Sequence, residues 1–140
     1  MIDKRELRIG NKIRYSDHEL TVEYLPHTTY VQTEENINGY LDQYDGIDLT
    51  PEILERCDFE LITWNGAIKQ YYKSITENNN CTLSFVFGEY KDYPNRLDAV
   101  KIGAPPDASG SNYGKFKIKY LHQLQNLYFA LTGVELEIKK

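Results

Sequence analysis

A chain of 140 residues carrying 16 Lys plus Arg against 21 Asp plus Glu is long enough to bury a core, and its net charge of -5 opposes non-specific attraction to phosphate backbones or anionic lipid. No stretch approaches the roughly 18 apolar residues of a membrane helix, and the charged start at Asp3, Lys4, Arg5 and Glu6 is not followed by an apolar core, so the cytoplasm is the expected location. Cys57 and Cys81 lack CxxC or Cys/His spacing and read as reduced thiols; no metal and no cofactor is expected.

The first 49 residues have the period-two alternation of half-buried strands. Leu7 and Ile9 flank Arg8, Ile13 and Tyr15 flank Arg14, and Leu20, Val22 and Tyr24 alternate with Thr21 and Glu23, with Gly10 breaking the first run. Residues 30–33 supply a third strand. The stretch 34–46, rich in Asn, Asp and Gly, reads as a long polar loop. Thr50-Pro51 announces a short helix over 50–58, because threonine caps free amides and proline is preorganised for the first helical position. Ile53, Leu54 and Cys57 then face inward.

Beyond Asp58, strands are expected at 59–64, 68–75, 82–87, 97–102 and 115–119, each bounded by Gly, Asn or Pro clusters, as in an antiparallel meander. Asn65-Gly66 is a tight-hairpin signal, since both residues tolerate positive φ. Asn78-Asn79-Asn80 and Tyr93-Pro94-Asn95 mark further reversals, and 104–114 reads as an exposed loop. Phe116, Ile118 and Tyr120 alternate with lysines, while Val134, Leu136 and Ile138 alternate with Glu135, Glu137 and Lys139. A final strand at 134–138 paired to 115–119 would oppose glutamates to lysines, at about 0.2–1 kcal/mol per pair.

Residues 121–134 contain no Asp, Glu, Lys or Arg. Their periodicity predicts a helix over about 120–132, stopped by Gly133. Leu121, Leu124, Leu127, Tyr128 and Leu131 form an apolar stripe on one side of the wheel. His122, Gln125, Asn126 and Phe129 lie on the remaining circumference, with no charge among them. Amides and an imidazole satisfy buried partners without the desolvation cost of a charge, so this face is expected to be covered. Two coverings fit: the N-terminal half of the chain, or a protein partner or second copy, with Phe129 as aromatic anchor and His122, Gln125 and Asn126 as polar contacts.

A second functional reading rests on Lys69, Tyr71, Tyr72 and Lys73, where tyrosines interleaved with lysines could stack single-stranded bases and meet phosphates. Tyrosine is also a favourable strand residue, and the acidic balance favours that explanation. Other chemistry fails on spacing. The glycines of Gly110-Ser111-Asn112-Tyr113-Gly114-Lys115 are too close for a phosphate loop, and Phe116 stands where Ser or Thr is required. His18, His27 and His122 have no metal-ligand spacing, and Asp42, Asp45 and Asp48 lack the alternation of a calcium loop. No catalytic residue is assigned; Cys57 with His122 is a generic nucleophile pairing, and a buried inert Cys57 is favoured over it.

Three segments in the same order carry a resemblance: Leu7-Arg8-Ile9-Gly10-Asn11, Ile47-Asp48-Leu49-Thr50-Pro51-Glu52-Ile53-Leu54-Glu55-Arg56-Cys57-Asp58-Phe59, and Tyr120-Leu121-His122-Gln123-Leu124-Gln125-Asn126-Leu127-Tyr128-Phe129-Ala130-Leu131-Thr132-Gly133. On these the chain resembles a family of uncharacterised small proteins of gut anaerobic bacteria, their phages and mobile elements. In that family the middle segment ends Gly-Phe, so Asp58 departs from it, as does Asp48. The resemblance brings no activity; it implies a phage or mobile-element setting in which accessory binding proteins are common. The expected architecture is α+β and mainly antiparallel, a single domain over 1–140. It comprises a β-unit at 1–49 compatible with a partly closed SH3-like barrel, a connecting helix at 50–58, and a sheet over 59–140 packed by the C-terminal helix.

Overall fold

The computed structural model describes residues 2, 7–27, 30–64, 68–76, 81–90, 93–103, 112–115 and 118–139. They form two antiparallel sheets with two α-helices, a mixed α+β fold dominated by strands. The chain divides into two compact units, Met1–Leu49 with Lys119–Ala130, and Thr50–Ile118 with Leu131–Lys140. Residues 119–130 thus group with the N-terminal strands, not with the 59–140 sheet.

The first unit is built on four strands in the order β1 (Lys12–Tyr15), β2 (His18–His27), β3 (Tyr30–Thr33) and β4 (Gly39–Tyr40). Alternation works as expected in the middle of the sheet, where Ile13 opposes Leu20 and both are buried with Val22 and Val31. It fails at 7–9. Leu7 is buried and Ile9 exposed, but the segment is a turn, because Asn11 N–H bonds Arg8 C=O at 3.0 Å and Gly10 takes φ 93. The expected polar loop at 34–46 also contains β4 and a 3-10 turn at Leu41–Gln43, and it places Leu41 and Tyr44 in the core. Composition hid this because two apolar side chains suffice to anchor a segment whose other residues face water. After the 3-10 turn the chain returns to β1, where Arg14 and Asp45 exchange both backbone hydrogen bonds at 2.8 Å.

The second unit has strands β5 (Glu60–Trp64), β6 (Ile68–Ser74), β7 (Thr82–Tyr90), β8 (Tyr93–Gly103) and β9 (Asn112–Lys115), paired in chain order. The turns at Asn65-Gly66 and Asn78-Asn79-Asn80 lie outside the described residues, as does most of 104–114. Tyr93-Pro94-Asn95 is not a reversal but the start of β8, with Tyr93 opposite Tyr90. Helix α1 (Pro51–Arg56) begins as expected, with the Thr50 hydroxyl accepting from Ile53 N–H at 3.3 Å. It ends in two backbone bonds, Phe59 N–H to Leu54 C=O and Asp58 N–H to Glu55 C=O, the pairing of a Schellman cap. Asp58 accordingly adopts φ 62, the left-handed conformation that glycine favours. Leu54, Cys57 and Phe59 are buried with Tyr71, Leu83, Phe85 and Phe87.

The expected strand at 134–138 does not form. Residues 135–139 are irregular and run back to α1, where Lys139 N–H donates to Arg56 C=O at 2.8 Å and Arg56 Nε donates to Lys139 C=O at 2.6 Å. Leu136 is buried, so the apolar residue is accommodated without a ladder. Lys139 Nζ there pairs with Asp58 Oδ1 at 2.8 Å. The hydrogen bond from Lys139 lowers the Asp58 pKa, and the same bond raises that of Lys139. The pair therefore holds the tail between the two titrations; it is lost as pH falls through the Asp58 pKa and as pH rises through that of Lys139. An NMR titration should find the Asp58 carboxyl titrating lower in the natural protein than in a Lys139→Met variant. Coincident midpoints would show that the pair does not form.

Candidate protein-interaction surface

The face of helix α2 (Leu121–Thr132) that carries amides instead of charges is met by the turn that precedes β1. That turn exists because glycine supplies positive φ at its third position, and the Asn11 side chain reinforces it by accepting from Arg8 N–H at 2.7 Å. The turn and β1 then present backbone groups that a sheet would ordinarily pair. Gln125 takes two of them: its Oε1 accepts from Lys12 N–H at 2.7 Å and its Nε2 donates to Gly10 C=O at 3.0 Å. One side-chain amide thus substitutes for a neighbouring strand at the edge of β1. Asn126 Oδ1 accepts from Asn11 Nδ2 at 2.9 Å and from Arg8 Nε at 3.2 Å.

The helix is held at its start as well. Leu121 N–H donates to Ile47 C=O at 2.8 Å, and Gln123 Oε1 reaches back to accept from Lys119 and Tyr120 N–H groups at 2.9 and 3.0 Å. The Tyr120 ring lies on Gly46, where an added Cβ would come within 2.5 Å of ring carbons. His122 is fully buried and stacks on Tyr120, with ring centroids 5.6 Å apart and planes 12° from parallel.

Of the four residues singled out on this face, His122 and Gln125 are buried within the unit, and Asn126 is half-buried and bonded to the turn. Phe129 differs. Its side chain is 39% exposed, and the Arg8 guanidinium lies 4.5 Å from its ring centroid, a cation-π arrangement. Ile9, next to Arg8 in the same turn, is 57% exposed. The expected apolar stripe is only partly a core stripe: Leu121 and Leu124 are fully buried, Leu127 and Tyr128 are half-buried, and Leu131 is exposed. The buried side of α2 is thus rotated from the leucines toward His122 and Gln125. The contributions of Arg8, Asn11 and Lys12 were not legible in sequence, since they act through backbone groups and a turn; Gly10-Asn11 was the available signal.

The second set does not form one surface. Tyr71 and Tyr72 point to opposite faces of β6. Tyr71 is buried edge-on against Phe87, with its hydroxyl 3.4 Å from Glu55, and burial with the Glu55 charge raises its pKa. Tyr72 donates to Glu60 at 2.7 Å, and Lys73 Nζ donates to Cys57 C=O at 2.9 Å. Among the described residues no three His, Cys, Asp or Glu gather as metal ligands, and no helix is long and apolar enough to cross a membrane. No family model, curated protein or solved structure matches this chain.

Proposed function

We propose that this protein is a non-enzymatic accessory protein of phage or mobile-element type that acts in the cytoplasm by binding another protein through the Phe129 surface. The observation that carries the reading is Phe129 itself. It is an exposed aromatic ring backed by Arg8, whose chain neighbour Ile9 is also exposed, on a helix whose Gln125 and Asn126 amides are already engaged. Aromatic and arginine side chains held in place before binding are the residue types that dominate interface energetics. The resemblance at 7–11 and 120–133 covers both the turn and the helix that build this surface, which supports the accessory role. The N-terminal unit is read as a partly closed SH3-like barrel, supported by the double backbone bond between Arg14 and Asp45.

Replacing Phe129 with Asp is expected to leave the far-UV circular dichroism spectrum and unfolding midpoint near those of the natural protein. Affinity capture from the native cell should lose its specific partner, with affinity reduced by roughly 30-fold or more, the scale of an aromatic hot spot. Unchanged capture by a folded Phe129→Asp protein would refute the surface. Mixed single-stranded oligonucleotides are expected to give no salt-sensitive gel shift; a shift lost in a Lys69→Ala, Tyr72→Ala variant would favour the nucleic-acid reading instead.

A further inference from the structure

The two sheets treat their edges differently. In the first, the outer edge of β1 is occupied by the Gln125 amide at Lys12 and by the Asp45 backbone at Arg14. In the second, β5 ends the sheet, and among the described residues nothing pairs with its outer side. Exposed edges are ordinarily blunted by lysine, proline, a bulge or an inward charge. β5 reads Glu-Leu-Ile-Thr-Trp and pairs with β6 in unbroken register, so it has neither lysine, proline nor bulge. Its one charge, Glu60, is drawn back along the sheet by the Tyr72 hydroxyl at 2.7 Å.

The apolar pattern points to what the edge meets. Leu61 lies opposite Tyr71, and Tyr71 lies opposite Phe85, which makes a cross-strand row on the face that is buried. Phe85 and Tyr71 are 0% and 2% exposed, but Leu61, the last member of the row, is 47% exposed. We propose that β5 pairs antiparallel with β5 of a second copy of this chain, centred on Leu61, so that the row runs unbroken from Phe85 through both Leu61 side chains to Phe85 of the copy. That register is self-complementary. It sets the two leucines against each other and each Glu60 opposite Ile62 of the copy, so no like charges meet. It keeps the buried faces of both sheets on one side, because partners centred on the same residue share a pleat. The proposal uses none of the residues of the Phe129 surface and does not rest on that reading.

The test uses the full chain. Sedimentation equilibrium is expected to give a concentration-dependent approach to twice the chain mass of 16.3 kDa. Leu61→Lys, which places like charges opposite each other at the centre, should weaken association by roughly 30-fold or more with an unchanged circular dichroism spectrum. In a Cys81→Ser background, Leu61→Cys should cross-link to a covalent dimer under mild oxidation, and Ile62→Cys should not. This arm reads the register even if Leu61→Lys fails to fold. Phe129→Asp should leave the dimer intact. A natural protein that stays at 16.3 kDa at the highest attainable concentration overturns the proposal. So does a dimer that Phe129→Asp dissociates and Leu61→Lys does not, or cross-linking that favours Ile62→Cys.

Discussion

Replacing Gln125 with glutamate should destabilise the protein by about 3–5 kcal/mol at neutral pH and by much less in acid. Gln125 is 3% exposed and uses both ends of its amide, accepting from Lys12 and donating to Gly10. A carboxylate has the same shape and keeps the first bond, but it turns an acceptor toward the Gly10 carbonyl and buries a charge. Protonation restores a donor on that side. Burial raises the pKa of such a glutamate above its unfolded value of about 4.3, so the folded variant binds the extra proton. Its stability is then fullest below the unfolded pKa and is lost as pH rises through the folded one. Urea unfolding at several pH values measures this directly. A variant as stable as the natural protein at neutral pH would show that the amide does not brace β1. Gln125→Leu supplies the pH-independent control, since it leaves two backbone groups unpaired at about 1–3 kcal/mol each.

Leu124→Ala is expected to cost about 2–5 kcal/mol, the range for emptying a fully packed leucine site. The Leu124 side chain is fully buried, so a cavity is left that the helix can close only by moving against β1, to which Gln125 ties it. The apolar stripe on the helical wheel treats Leu124, Leu127 and Leu131 as equivalent, whereas burial does not. Leu127→Ala should cost less than Leu124→Ala, and Leu131→Ala, at a site 40% exposed, should stay within about 1 kcal/mol. Denaturant midpoints for the three variants rank them; equal losses would mean that the whole leucine stripe is core.

Much of the local structure follows from residues read one neighbourhood at a time. Thr50-Pro51 starts α1, Gly133 at φ 75 follows the last residue of α2, and Ile13, Leu20 and Val22 alternate into a sheet face, because caps, glycine conformations and strand pleats depend on only a few adjacent positions. Local pattern is overridden where a distant group competes. The alternation at 7–9 is overridden by a turn that Asn11 and Gln125 stabilise, and that at 134–138 by the two hydrogen bonds between Lys139 and Arg56, one backbone to backbone and one from the Arg56 side chain. Alternating polarity shows that one side of a segment is wet, and an irregular segment lying on a core satisfies it as well as a strand does.

The candidate surface was half legible. The absence of charge along 121–134 correctly marks a helix face that meets something, since ionised side chains there would have to be desolvated. Which residues meet what was decided by tertiary structure. The Gly10 turn brings Arg8, Asn11 and Lys12 to Gln125 and Asn126 across more than a hundred positions of chain, and Phe129 is left at the margin under Arg8. By itself the sequence determined the secondary elements with strong local signals, the mainly antiparallel α+β class and the need for an uncharged helix face. Only the tertiary structure decided that this face is braced by the β1 edge while no described residue pairs with the outer side of β5, because hydrogen-bond partners distant in sequence are chosen by chain topology and not by local pattern.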